Sequence, residues 1–525
     1  MDKNYNRNNI FNILNHWQNF RLKIIFQGII VGILSGLLIV FYRIVLEKAE
    51  ELRSFIFNQN ISMYKLIPIW FVVLIISAYI VGMLIKNEPL ISGSGIPQVE
   101  GMLIGKIKAN WLSIIIKKFI GGVICIGAGL SLGREGPSIQ LGASVGQGIS
   151  QLLKRLKIEE KYLITSGASA GLAAAFNAPL AGVMFALEEV HKHFSPLILL
   201  PAMAASLTAD FISKYFFGLK PVFNFHNVTA ISLDKYGYII LLGVVVGVFG
   251  AFYNYTLLKA QDLYKQLKWL PVKFRPMLPF IAAGFLIIFL PQVLGGGHSL
   301  IDSLINSNYT LKMLLIILIF KYFFSLLSYG SGAPGGIFFP LLVLGALTGA
   351  IYGNLIVKFT GMDYKFINNF IMLAMAGYFT AIVRAPITGS ILITEMTGSF
   401  SNLLSLSVVS LVAYSVAYIL ESEPIYESLL ERLLRNNGQF KFHGNSNNKS
   451  ILEIPVYLAS FMDGKKIKQL SLPNDCLLVG IRRGEKELIP KGNTTIHSGD
   501  CLIVLVNEDN AALTNEELLE MSRSI

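Results

Sequence analysis

Charge is scarce in this 525-residue chain. Asp, Glu, Lys and Arg make up 14% of it, against roughly 25% in soluble globular domains, which excludes an ordinary water-soluble protein. Cysteine is scarcer still: Cys125, Cys476 and Cys501 stand in separate contexts without CxxC spacing, so neither a disulfide framework nor a zinc site follows. The HExxH helix of a metalloprotease is absent, and the chain is not read as an enzyme. There is also no basic run interleaved with aromatics. The net charge of +12 is scattered, which suits cytoplasmic loops facing anionic lipid and argues against nucleic acid as a partner.

What the chain has in quantity is apolar sequence: 53% hydrophobic residues and a mean hydropathy of +0.58. Crossing hydrocarbon takes about 20 apolar residues. Leu66 to Ile85, Tyr238 to Tyr255, Leu311 to Leu327 and Leu403 to Leu420 are candidate spans of a multi-pass membrane protein. Other apolar runs, near Gly133, Asn177, Gly295 and Gly336, are interrupted by turn residues. Lipid tolerates such breaks only where the backbone is buried in protein or lines an aqueous cavity. Residues 1–19 form a polar N-terminal segment, unlike a cleaved signal peptide. Lys3, Arg7, Arg21 and Lys23 precede the first long apolar run and place that end in the cytoplasm.

Residues 20–435 read as one helical membrane domain, and it contains an internal repeat. Lys118 to Gly146 aligns without a gap on Lys321 to Gly349, at an offset of 203 residues. Gly127, Gly129, Gly133, Pro137, Gly142 and Gly146 fall on Gly330, Gly332, Gly336, Pro340, Gly345 and Gly349, and Gly93 falls on Gly296. At an offset of 207, Ala178, Pro179, Gly182 and Glu188 fall on Ala385, Pro386, Gly389 and Glu395. The halves, about 20–217 and 235–435, therefore differ by a small insertion. Duplicated halves with Gly- and Pro-interrupted hydrophobic segments predict a transporter with its site near the bilayer midplane.

Three turns stand out: Gly93-Ser-Gly-Ile-Pro97, Gly133-Arg-Glu-Gly-Pro137 and Gly335-Gly-Ile-Phe-Phe-Pro340. Each opens an apolar helix, whose first amides lack internal acceptors and carry partial positive charge. Several such ends aimed at one point make an anion site without a full positive charge, weak enough to release its ion. Ser94 adds a hydroxyl at one end, and the amides of Ile337 and Phe338 add donors at another. Taken singly, each turn is also what ordinary capping produces.

Glu135 has Phe338 as its repeat partner, so symmetry alone does not ask for an acid there. Beside an anion site an ionised glutamate competes with the anion, and a protonated one withdraws, which couples protons to anion passage. Glu188 and Glu189 close the run Ala181 to Leu187 and read equally as solvated helix-end acids. His193, four residues past Glu189, finds no third ligand at a useful spacing, so no metal is assigned. Gly330-Ser-Gly-Ala-Pro-Gly335 matches GxGxxG but lies in a broken membrane segment without βαβ context.

Residues 436–450 are a polar linker. Residues 451–525 follow as a small soluble α/β module, mostly β. Its expected strands are Ile451 to Leu458, Cys476 to Arg482, Glu487 to Pro490 and Cys501 to Val506, with a terminal helix from about Thr514. In LPND, Gly480-Ile-Arg-Arg-Gly484 and Ile489-Pro-Lys-Gly492 ahead of Ser498-Gly499-Asp500, it resembles the TrkA-C (RCK-C) regulatory domain. That resemblance implies a nucleotide regulator such as cyclic di-AMP, with Arg482, Arg483 and Lys491 as candidate contacts, alongside the reading of these as solvated turn charges.

The membrane motifs GSGIP, GREGP, GGIFFP, Ala174-Ala-Phe-Asn-Ala-Pro-Leu-Ala-Gly182 and Glu423-Pro-Ile-Tyr426 together resemble the CLC family of chloride channels and proton/chloride antiporters. The resemblance implies an all-α polytopic fold of two inverted repeats with about eighteen tilted segments. It also implies a homodimer in the cell membrane, each subunit with its own pore, and cytoplasmic termini. It makes Ser94 and Tyr426 side-chain ligands of chloride, Ile337 and Phe338 backbone ligands, Glu135 the gate, and Glu189 the inner proton acceptor. An acid at Glu189 favours exchange of two chlorides for one proton; the alternative is an uncoupled chloride channel. Lys118 matches a basic position near the pore. Ser94 argues against nitrate preference, and Glu135 with Tyr426 argues against the fluoride-selective branch. Phe339 stands where many relatives have a smaller side chain, and no paired CBS module follows. No cofactor is implied beyond chloride as bound substrate.

Overall fold

The computed structural model describes every residue except 1–2, 59–62, 193, 224, 226–227, 229, 268, 307–308, 437–448, 459, 474–475, 484–485, 508–510 and 523–525. His193 and most of the linker lie outside the described residues. The chain forms two compact units, residues 1–434 and 435–525.

The first unit is helical throughout. Its first half contains α1 (Lys3–Asn58), α2 (Met63–Asn87), α3 (Ile96–Leu103), α4 (Trp111–Gly127), α5 (Glu135–Leu152), α6 (Lys157–Phe176), α7 (Pro179–Phe185) and α8 (Pro196–Phe217). The second contains α9 (Tyr236–Gln266), α10 (Met277–Phe289), α11 (His298–Asn306), α12 (Leu311–Gly330), α13 (Phe338–Thr360), α14 (Ile367–Val383), α15 (Pro386–Thr397), α16 (Leu403–Ile419) and α17 (Ile425–Asn436). Among the described residues nine helical stretches are long and apolar enough to cross a membrane. The short helices α3, α7, α11 and α15 are not; they begin or end at the Gly, Asn and Pro breaks, where helical hydrogen bonding cannot continue. The all-α, broken-helix fold expected from the sequence is therefore the one the chain adopts.

The core is built around the broken segments. Between Phe338 and Pro340 and along most of α14 the helices are buried on all sides, whereas α2 exposes Ile69, Val72 and Ile76. Small residues allow the close contacts: on α5, Gly142 and Gly146 face the backbone of Gly167 and Leu163 on α6, as small-residue helix pairs in lipid do.

The second unit is a four-stranded antiparallel sheet in the order β1-β4-β2-β3 with one helix: β1 (Lys449–Pro455), β2 (Cys476–Arg483), β3 (Lys486–Leu488), β4 (Asp500–Asn507) and α18 (Ala511–Ser522). β1 begins inside the stretch read as linker. Alternation along β4 buries Leu502, Val504 and Val506 against Ile454, Leu478, Ile481 and Leu518, which is the hydrophobic side of a one-sided sheet.

Candidate functional site

The three glycine turns meet. The amide of Gly133 donates to the carbonyl of Gly336 at 2.7 Å, and the amide of Gly336 returns a bond to Gly133 at 2.8 Å. This reciprocal pair ties the start of α5 to the start of α13. The third turn joins them through Gly335, whose amide donates to the Gly93 carbonyl at 3.0 Å, and through Gly93, whose amide donates to Gly332 at 3.3 Å.

The symmetry of the repeat is visible in these bonds. Gly93 of the first half reaches Gly332 of the second, and Gly295 of the second half reaches Gly129 of the first at 2.8 Å. Buried Lys118 donates to the carbonyls of Ile91 and Gly93 at 2.9 and 2.7 Å. Buried Lys321 does the same to Val293 and Gly295, at 2.9 and 2.7 Å. The structural mate of Gly93 is thus Gly295 rather than the Gly296 of the ungapped alignment, because the lysine chooses carbonyls by position in space. Lys118 shapes the turn that presents Ser94.

Around the junction sit buried polar groups with little to satisfy them. Ser94 is 1% exposed and its hydroxyl has no hydrogen-bond partner among the described residues. The Tyr426 ring is fully buried, its hydroxyl likewise unpartnered, within electrostatic reach of Glu189, Glu100 and Glu135. A buried hydroxyl without a partner is costly in a protein interior, and hydroxyl donors of this kind suit an anion. Ile337 caps α13 without a side-chain bond, and the amides of Ile337 and Phe338 make none of the turn hydrogen bonds that tie Gly335 and Gly336 down. The Phe338 ring is packed between Phe176, Phe185 and Phe379, which fixes the backbone that carries those amides.

Glu135 occupies the first turn of α5 and is 1% exposed. Arg134 Nε lies 4.0 Å from its Oε1, and the amide of Phe339 is within electrostatic reach. A small cavity of about 50 Å3 runs from Glu135 past Arg134, His298 and Phe339 to Glu47 and Glu50. Phe339 lines it and packs against Phe176, Phe223 and His298. Glu135 thus lines this cavity while opening α5 at the junction of the helix ends.

Glu189 lies in a π-helical turn, Ala186–Val190, closed by the His191 amide bonding the Ala186 carbonyl at 2.8 Å. Such turns insert a residue and re-aim the side chains beside it. The consequence is a split between two adjacent acids. Glu189 is 4% exposed and its Oε1 has no hydrogen-bond partner among the described residues. Glu188 is no solvated helix-end acid: its carboxylate accepts from the amides of Ile387 and Thr388 at 3.2 and 2.7 Å and from the Thr388 hydroxyl at 2.7 Å.

Glu100 was not singled out in the sequence. It lies on α3, 3% exposed, with neither carboxylate oxygen hydrogen-bonded among the described residues, and within electrostatic reach of Glu189 and Lys192. The available signal was an acid four residues after Ile96, two past Gln98, in a short helix opened by GSGIP. Lys192 forms an ion pair with Glu427, the residue after Tyr426.

In the second unit Arg482, Arg483 and Lys491 do not converge. Successive strand residues face opposite sides of a sheet. Arg482 pairs with Glu453 at 2.6 Å on one face, while Arg483 makes a two-point bond to buried Asp500 at 2.7 and 2.8 Å and donates to the Thr495 carbonyl. Lys491 is exposed. Arg483 is committed to the domain's own fold. Among the described residues no group of acids, histidines and cysteines could hold a metal.

Comparison with known proteins agrees with this architecture. The family model described as voltage gated chloride channel matches residues 76–418, and the TrkA-C domain matches residues 451–519. The H(+)/Cl(-) exchange transporter ClcA of Vibrio cholerae is 36% identical over 427 residues, covering 79% of this chain and 90% of its own length. That of Yersinia pestis is 32% identical over 428 residues, covering 80% and 89%. A crystal structure of a slow cyanobacterial Cl-/H+ antiporter superposes with a TM-score of 0.74 at 31% identity, over 79% of this chain and 99% of that one. A fluoride/proton antiporter of the same fold gives 0.66 at 23% identity.

Proposed function

The chain belongs to the voltage-gated chloride channel (CLC) family and carries a TrkA-C domain, and from that premise we propose that it exchanges chloride for protons across the cell membrane. The observation that carries the proposal is the placement of Glu135 in the first turn of α5, where the Gly133–Gly336 bridge brings the ends of α5 and α13 together. Chloride is bound by the Ser94 and Tyr426 hydroxyls and the amides of Ile337 and Phe338. Ionised, the Glu135 carboxylate occupies the same positive helix ends that attract chloride; protonated, it leaves them. Each withdrawal carries a proton, so anion passage and proton transfer share one group. Glu189 delivers protons from the opposite side, supported by its burial and its re-aiming by the π turn.

The protein works as a homodimer with both termini in the cytoplasm. Its C-terminal domain is the regulatory part, with cyclic di-AMP as the candidate ligand. Lys491 is the exposed side chain for such contact, and Arg482 joins it by exchanging its ion pair with Glu453 for the ligand; Arg483 serves through Asp500 by holding the sheet. Flux with and without the nucleotide tests this part.

The deciding experiment uses purified protein in liposomes with a chloride gradient, no proton gradient, and the voltage set by a potassium ionophore. External pH and chloride are recorded together. Protons driven uphill by chloride establish exchange. Chloride reaching its Nernst potential without proton movement establishes an uncoupled channel and returns Glu189 to a structural role.

A further inference from the structure

A concave groove of about 790 Å3 opens on the outside of the first unit between α9, α10 and α12. Its walls are apolar, and Leu263, Phe285, Phe320 and Phe323 are each about half exposed or more. Its polar members are mostly spoken for: the Tyr264 hydroxyl bonds the Leu327 carbonyl and Thr256 bonds Tyr322.

One end of the groove is cationic. Lys259 lines it, its ammonium 5.6 Å from the centre of the Tyr255 ring. Lys265 is exposed a turn and a half further along α9. Arg275, just before α10, lies within electrostatic reach of Tyr264 and Lys265, and its buried Nε has no hydrogen-bond partner among the described residues. The acid among them, Asp262, is held at two points by Arg432, at 2.6 and 3.1 Å. Lys259 lines the groove, and Lys265 and Arg275 flank its lining residue Tyr264; with Asp262 tied to Arg432, the three leave this flank of the apolar slot positively charged.

We propose that the groove binds an anionic phospholipid, one acyl chain lying along α12 and the phosphate held by Lys259, Lys265 and Arg275. Apolar walls alone would accept any lipid chain; the cations select a negative headgroup, since basic residues at a membrane surface attract anionic lipid. α12 also carries Lys321, which holds the turn at Gly295, so the site touches an element that shapes the pore.

The test is native mass spectrometry of the full chain purified from vesicles of phosphatidylglycerol and phosphatidylcholine in equal amounts. The wild type should retain phosphatidylglycerol over phosphatidylcholine by tenfold or more. The triple variant Lys259→Gln, Lys265→Gln, Arg275→Gln should lose that preference. Ala282→Trp, which fills the groove and leaves the cations, should lose the lipid altogether. Should the triple variant not fold, Lys259→Gln alone, at an exposed position, should lower the preference several-fold. Equal retention of both lipids by the wild type, or an unchanged preference in the variants, overturns the site.

Discussion

Glu188 and Glu395, 207 residues apart, each cap a helix of the opposite half. Glu188 accepts from the amides of Ile387 and Thr388 at the start of α15, and Glu395 accepts from the amides of Leu180 and Ala181 at the start of α7, at 3.1 and 2.8 Å. The receiving residues obey the same offset as the donating ones. Both helices start with proline after a residue in the left-handed region, Asn177 and Arg384. A carboxylate on such an end satisfies orphan amides and opposes the helix dipole.

Glu188→Gln and Glu395→Gln should therefore each destabilise the membrane unit by about 1–2 kcal/mol, the size of a lost charged cap. The two losses should add, because the sites share no partner. Thermal unfolding in detergent measures both. Glu188→Gln should leave the proton to chloride ratio unchanged, which separates it from its neighbour Glu189.

The junction tolerates no added carbon at Gly136. A methyl there would lie 2.4 Å from the Ser94 hydroxyl and 2.8 Å from the Ser94 carbonyl. Gly136→Ala should push Ser94 off the helix end and weaken chloride binding about tenfold or more, since roughly 1.4 kcal/mol of overpacking suffices for that. Isothermal titration with chloride reads it.

Lys118→Met and Lys321→Met should cost similar stability, roughly 3 kcal/mol each, because each strands two buried carbonyls. Their effects on chloride should differ. Gly93 adjoins Ser94, so Lys118→Met should also lower chloride affinity, whereas Lys321→Met should leave it within about threefold, a shift near 0.6 kcal/mol. Paired titration and melting measurements on both variants check this.

Glu135→Gln should keep anion flux and abolish proton coupling; retained proton pumping sinks the shared gate. Glu189→Gln should uncouple as well. Glu100→Gln, which removes the second unpartnered carboxyl near Glu189, should slow proton movement by about tenfold, one proton-transfer step's share of roughly 1.4 kcal/mol, while chloride binding is unchanged. Simultaneous pH and chloride recordings in liposomes separate the three.

In the C-terminal domain, burial pushes the Asp500 carboxyl up, but the hydrogen bonds from Arg483 and from the His497 amide, with the Arg483 charge, together outweigh it and hold it below the usual carboxylate range. A depressed folded value stabilises the fold above the unfolded pKa near 4, and the contribution is lost as pH falls through the lowered value. Asp500→Asn should cost about 2 kcal/mol at pH 7 and flatten the acid dependence below pH 4. Hydrogen exchange of β2 and β4 in the full chain, across a denaturant series, measures it.

Much of this was legible in one dimension. The membrane class follows from apolar runs and few charges, the duplication from repeated Gly and Pro, the breaks from residues that cannot continue a helix, and the sheet from alternating strands. Lys118 and Lys321 were visible as a repeated pair, but not what they hold. The cap role of Glu188, the burial of Glu189 and the unpartnered carboxyl of Glu100 were not visible, nor was the commitment of Arg483 to Asp500.

The reason is the range over which each is set. Helix, strand and break are decided by residues a few positions apart, so the sequence by itself determines them. Which carbonyls a buried lysine reaches depends on a turn 25 to 28 residues before it, and which amide a glutamate caps and which of two adjacent acids is left without a partner depend on chain segments about 200 residues away. Only the inverted packing of the two halves brings those segments into contact, and only burial, which makes an unsatisfied polar group costly, selects among the arrangements.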